Sequence, residues 1–199
     1  MITGSFTAAT MGWFLIATGI SGLLGLIFII LFFTVGQPFG TLNDISIGLT
    51  AILSAILVWL LHPSDLKQSL PLSQIILLLA MIGVILVLIG SFRAITGISG
   101  WYLSGLYMAA GNALLGIWLL YLNIIAYQNA SWPAGMAIFG LISGGVLLLG
   151  LAGIPGIFQG ADIKTYDVTI IKVMWWTSAL GWLAFYPIWC LLLGFTLLK

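Results

Sequence analysis

The chain has 199 residues, of which 62% are hydrophobic and only 5% charged, with five Lys or Arg against four Asp. A water-soluble surface needs roughly a quarter of its residues charged, so this composition excludes a soluble domain and makes lipid the covering solvent. The basic residues (Lys67, Arg93, Lys164, Lys172 and Lys199) are scattered rather than clustered, which excludes a nucleic-acid partner.

A membrane-crossing helix needs roughly 20 apolar residues, and residues 12–33 supply the first such run without a charge. No basic segment precedes it and it is too long for a signal-peptide core, so it is expected to remain as span one. Gly36, Pro38 and Gly40 mark the following turn, and Thr41 with Asp44 three residues on resembles a capping box opening span two at 45–61. His62 and Pro63 stop that span. Pro71 suits the first turn of span three at 72–90, and the stretch 91–100, with Arg93, reads as a loop. Span four covers 101–127 and span five 134–153, closing at Gly153-Ile154-Pro155-Gly156. A longer loop with Asp162, Lys164 and Asp167 leads to span six at 168–198, which Pro187 is expected to kink.

The expected fold is therefore all-α: a polytopic bundle of six membrane-spanning helices forming a single integral membrane domain over 1–199. An even number of spans puts both termini on one side. Lys67 and Lys199 then oppose Arg93, Lys164 and Lys172, a narrow balance that tips the loops carrying Arg93 and Lys164 toward the cytoplasm. Spans one and four open alike, Gly12-Trp13-Phe14-Leu15 against Gly100-Trp101-Tyr102-Leu103, as two inverted three-helix halves would. Chance matching in a chain rich in Gly and Leu gives the same pattern.

Lipid gives helices no hydrophobic reason to associate, so small residues that let backbones approach are the expected glue. Candidate packing positions are Gly22 and Gly25 with Thr18 in span one, and Gly48, Ala51 and Ala55 in span two. Span three offers Ala80, Gly83 and Gly90, and span five the Gly140-x-x-x-Gly144 motif. In span four, Gly105, Ala109, Asn112, Gly116 and Asn123 fall on one helical face, which should turn toward protein. Two readings of Asn112 and Asn123 stand side by side: hydrogen bonding between helices, or a polar lining for a bound or permeating solute. Asp44 likewise reads as a surface cap or, turned inward, as a functional carboxylate, with Arg93 as a candidate partner or pore-lining residue.

Catalytic motifs fail on inspection. Gly97-Ile98-Ser99-Gly100 matches the Gly-x-Ser-Gly of rhomboid proteases, but the single His62 ends span two whereas the rhomboid base lies on a later span. Tyr166-Asp167 matches half of an intramembrane aspartyl protease site, without a second carboxylate at membrane depth. With one His, one Cys and no Glu, no metal site and no cofactor are expected. Cys190 is alone, so no intrachain disulfide forms and the redox compartment stays open.

Gly40-Thr41-Leu42-Asn43-Asp44, the Trp-rich opening of span four and the Gly-rich close of span five resemble uncharacterised bacterial multi-pass membrane proteins of about this size. That resemblance implies a bacterial cytoplasmic membrane and no particular activity. The expected partner is the lipid bilayer, with a homo-oligomer or a larger membrane complex in addition. The expected function is non-enzymatic: a small transporter, channel or binder of a small or apolar solute, or else a structural or assembly subunit of a larger complex.

Overall fold

The computed structural model describes residues 7–62, 70–160 and 169–199. Six helices in it are long and apolar enough to cross a membrane. They are α1 (Ala8–Thr34), α2 (Phe39–Leu61), α3 (Leu70–Thr96), α4 (Trp101–Gln128), α5 (Ala134–Phe158) and α6 (Thr169–Leu197). No strand occurs among the described residues. The protein is an all-α integral membrane bundle.

Several helices outrun the bounds that hydrophobicity alone suggests, each for a local reason. The Thr7 hydroxyl caps α1 by accepting from the Thr10 backbone N–H at 3.2 Å, so the helix begins ahead of Gly12. Pro38, which has no N–H to lose, immediately precedes α2. Thr41 and Asp44 are therefore interior helical residues rather than a capping box. The segment 91–96, expected as loop, continues α3: the Thr96 hydroxyl donates back to the Phe92 carbonyl at 2.7 Å, and Arg93 occupies the last turn, where the helix dipole favours a cation. The helix stops at Gly97, whose φ of +69° is the left-handed conformation that glycine adopts without strain.

Helix α5 does not end at Gly153. It tightens into a 3-10 stretch over Leu149–Gly153 and resumes through Pro155, which falls at the start of the resumed α-helical turn. The break expected at Pro187 in α6 is a π-helical segment, Gly181–Phe185, just before the proline, as the missing N–H requires. The sequence positions Pro63, Asp65, Lys67, Asp162, Lys164, Tyr166 and Asp167 lie outside the described residues.

Each of α1 to α5 packs on the next, and α6 closes the arrangement: its first half rests on α4 and α5, its second half on α1 and α5. Glycines set the separations. A methyl group built on Gly116 would lie 2.8 Å from the Gly144 carbonyl oxygen, and one on Gly144 would lie 2.9 Å from that of Gly116. Gly83 meets the Gly111 backbone and Gly194 the Gly12 backbone in the same way, at 2.6 and 2.9 Å. Gly22 accommodates the Pro187 ring, Gly25 the Leu183 side chain, and Gly140 the Asn123 amide. Such contacts gain dispersion energy that lipid tails cannot match, because any Cβ would push the backbones apart.

Along the inner face of α6, the rings of Trp182, Tyr186 and Trp189 stack in sequence, with centroids 5.3 and 6.1 Å apart. All three are buried. Their polar ends find partners from other helices in two cases: Tyr186 and Ser54 of α2 share a hydrogen bond of 2.9 Å, and the Trp189 indole N–H donates to Asn123 Oδ1 of α4 at 3.2 Å.

Candidate functional site

The turn between α1 and α2 and the turn between α3 and α4 lie on one face of the bundle, because the helices alternate in direction. From that face a cavity runs inward between α1, α2, α4 and α6. Its outer part, about 290 Å³, is lined by Phe32, Phe33, Gln37, Thr41, Ala94 and Trp101 among others. Its inner part, about 70 Å³, lies among Asn112, Met108, Ala109, Trp175, Trp176 and Trp182. Ile29, Asn43, Asp44 and Trp101 line both. By the volume a water molecule needs, the inner part holds several waters or one compact head group.

Because α2 starts at Phe39, Asp44 falls in its second turn and faces the interior, where it is only 8% exposed. It is the one carboxylate side chain among the described residues, and no side-chain cation pairs with it there. Its side chain has a single bond, a long one of 3.4 Å from the Asn43 Nδ2. The Asn43 Oδ1 is buried with no hydrogen-bond partner. The Asp44 backbone carbonyl accepts from the Ser91 hydroxyl of α3 at 2.9 Å, which fixes this turn of α2 against α3.

From α4, Trp101, Gly105, Ala109 and Asn112 turn one stripe toward the cavity. Asn112 is 3% exposed, and its Oδ1 is also buried without a partner. Gly105 seats an aromatic ring: its carbonyl accepts the Trp175 indole N–H at 3.1 Å, and a Cβ there would lie 2.7 Å from that ring. Trp175 in turn meets Trp101 edge to face at 5.3 Å and Trp176 at 4.7 Å, with Phe33 6.2 Å from Trp176. Deeper in, the Trp182 indole N–H is buried and unpartnered. A buried amide or indole without a partner costs about 1–3 kcal/mol, and three of them together around one cavity form a concentrated polar demand.

The remaining candidates lie elsewhere. Asn123 is fully buried beyond the cavity, with its Nδ2 donating to the Leu119 carbonyl at 2.8 Å and its Oδ1 taken by Trp189. Arg93 does not reach Asp44. Its Nε donates to Ser99 Oγ at 3.1 Å and its guanidinium carbon lies 5.2 Å from the Tyr107 ring centroid, so it is stacked on the α3–α4 turn. Gly116, Gly140 and Gly144 belong to the α4–α5 seam.

Ser99 is bonded to Arg93 and to Ser104, at the end of the bundle opposite His62. His62 meets Ser73 of α3 at 2.7 Å, and burial holds its imidazole below the usual histidine range. The tryptophans of the cavity wall come from α4 and α6, and no motif in the sequence joins them into one site. For Asn43 and Asp44 the available signal was Pro38: a helix counted from that proline places them one to two turns inside α2 rather than at its start.

No protein-family model, curated protein or solved structure matches the chain. The resemblance to bacterial multi-pass proteins therefore reduces to the six apolar spans.

Proposed function

We propose that this is a non-enzymatic membrane protein that binds a small solute in the cavity around Asp44, Asn43 and Asn112, and passes or presents it at the face bearing the α3–α4 turn. The observation that carries this reading is the convergence of unpartnered, buried polar groups from α2, α4 and α6 on one cavity that widens toward that face. Polar groups are expensive at membrane depth, and a chain with so few of them gathers several here. Asn112 fits the lining role and Asn123 the packing role, so the two readings of the α4 face divide between its two halves. The setting proposed is a bacterial cytoplasmic membrane, with the bilayer as the standing partner.

Proteoliposomes and a three-solute panel test this reading. The wild type should bind or pass at least one of choline, glycerol and acetate, monitored by tryptophan fluorescence and by tracer uptake. Asn112→Leu, which fills the inner cavity with a branched apolar chain, should remove that signal. No signal for any of the three, or an undiminished one in Asn112→Leu, would overturn the proposal. Recovery of the protein only as a fixed component of a larger complex would favour the subunit alternative instead.

A further inference from the structure

Asp44 is the one charged side chain among the described residues that line the cavity. Its carboxylate has one weak bond, and beside it stand the carboxamides of Asn43 and Asn112, whose buried oxygens have no partner. An anion would meet the Asp44 carboxylate and, among the described lining residues, no cationic side chain. The apolar part of the wall is aromatic: Trp101, Trp175, Trp176 and Trp182 all line the inner cavity. Tryptophan has the most strongly attractive ring face for a cation, and the attraction grows when water is excluded. An inorganic ion would be better served by a closed shell of oxygens, and no group of three or more His, Cys, Asp or Glu suited to a metal occurs among the described residues.

Resting on the solute-binding reading above, we propose that the cavity takes a small organic cation, an amine or quaternary ammonium head, held between the Asp44 carboxylate and the tryptophan walls, beside the Asn43 and Asn112 carboxamides. The ion supplies the cationic partner that Asp44 lacks among the described residues. The outer chamber, with Phe32, Phe33, Gln37 and Thr41, leaves space for whatever the ammonium carries. A free amine and the choline head of a lipid share this chemistry.

The test compares choline with its uncharged isostere 3,3-dimethylbutan-1-ol by tryptophan fluorescence on the full chain in nanodiscs. Choline should bind the wild type at least about tenfold more tightly than the alcohol. Asp44→Asn should abolish that preference while leaving the alcohol's weak binding in place, which also reports that the variant is folded. Trp176→Leu should weaken choline roughly 2- to 30-fold. Titration of a short-chain phosphatidylcholine alongside choline separates a lipid head from a free ion, since only the former carries a phosphate toward Asp44. Equal affinity for choline and the alcohol in the wild type would overturn the proposal, as would binding of sodium or potassium alone. If glycerol or acetate still gives an Asn112-dependent signal in the panel above, the solute-binding reading survives that loss; if nothing binds, both fall.

Discussion

Asn112 and Asn123 lie on the same face of α4, roughly three turns apart, and both are withdrawn from solvent. Asn123 has both ends of its amide engaged, by the Leu119 carbonyl and the Trp189 indole, in a region where Gly140 makes room for that amide and Gly116 and Gly144 bring α4 and α5 into backbone contact. Asn112 has a buried oxygen with no partner and looks into a cavity with Asp44. The same residue type is therefore satisfied within the protein in one half of the helix and left with an unpartnered oxygen beside a cavity in the other, where recognition is proposed. What separates them is the packing across from each: glycine seams and a stacked aromatic column at one end, tryptophan walls around an opening at the other. Groups satisfied within the protein hold it together; groups left unsatisfied are free to hold something else.

Substitutions at the two ends should break or sharpen that contrast. The largest effect is expected at the glycine seam, where Gly116→Leu must push α5 away and should destabilise the protein by the upper part of about 1–3 kcal/mol in SDS-induced unfolding. Asn123→Ala comes next, since it strands the Trp189 N–H and empties the space beside Gly140, at a cost of about 1–2 kcal/mol. Asn112→Ala strands no partner and removes a buried, unpartnered oxygen, so it should cost less than Asn123→Ala and lie near zero or on the stabilising side. Equal losses at the two asparagines would erase the distinction. Tyr186→Phe removes the hydrogen bond to Ser54 together with the hydroxyl's interaction with Cys190, and should cost about 0.6 kcal/mol, the usual worth of such a bond inside a membrane.

The smallest effect concerns His62, at the end far from the cavity. Burial lowers its pKa in the folded protein, so the unfolded chain takes up the proton first as pH falls. Stability present above about pH 6.5 should therefore decline slightly below it, and His62→Gln should flatten that slope in thermal unfolding followed across pH.

Hydrophobic runs make the six spans legible, because nothing else covers so many apolar side chains. Their ends are less so. Hydropathy stops α3 near Gly90, but Ser91 and Thr96 find carbonyl partners and Arg93 lies over Tyr107, so polar residues extend the helix to Gly97. The α4 face is legible as a stripe of Gly, Ala and Asn at helical spacing. Its division into a seam and a cavity wall is not, because that depends on which residues of α2, α5 and α6 stand opposite, and these are distant in sequence. Of the two readings of Asp44 the surface cap fails for a related reason: Thr-x-x-Asp after a Gly-Pro turn looks like a helix start, and only the placement of Pro38 ahead of α2 puts the carboxylate inside. Trp101, Trp175, Trp176 and Trp182 carry no spacing signal of a shared site, since they come from two helices separated by α5.

The most direct test of the contrast is water access along α4. With Cys190, buried and the only cysteine in the sequence, replaced by alanine, single cysteines at Ala109 and Ala126 can be exposed in liposomes to a membrane-impermeant thiol reagent. Ala109 lines the cavity and Ala126 is buried near the other end of the helix. The account predicts that Ala109→Cys reacts from one side of the membrane only and that Ala126→Cys does not react from either. Labelling of Ala126→Cys at a comparable rate, or none at Ala109→Cys, would contradict it.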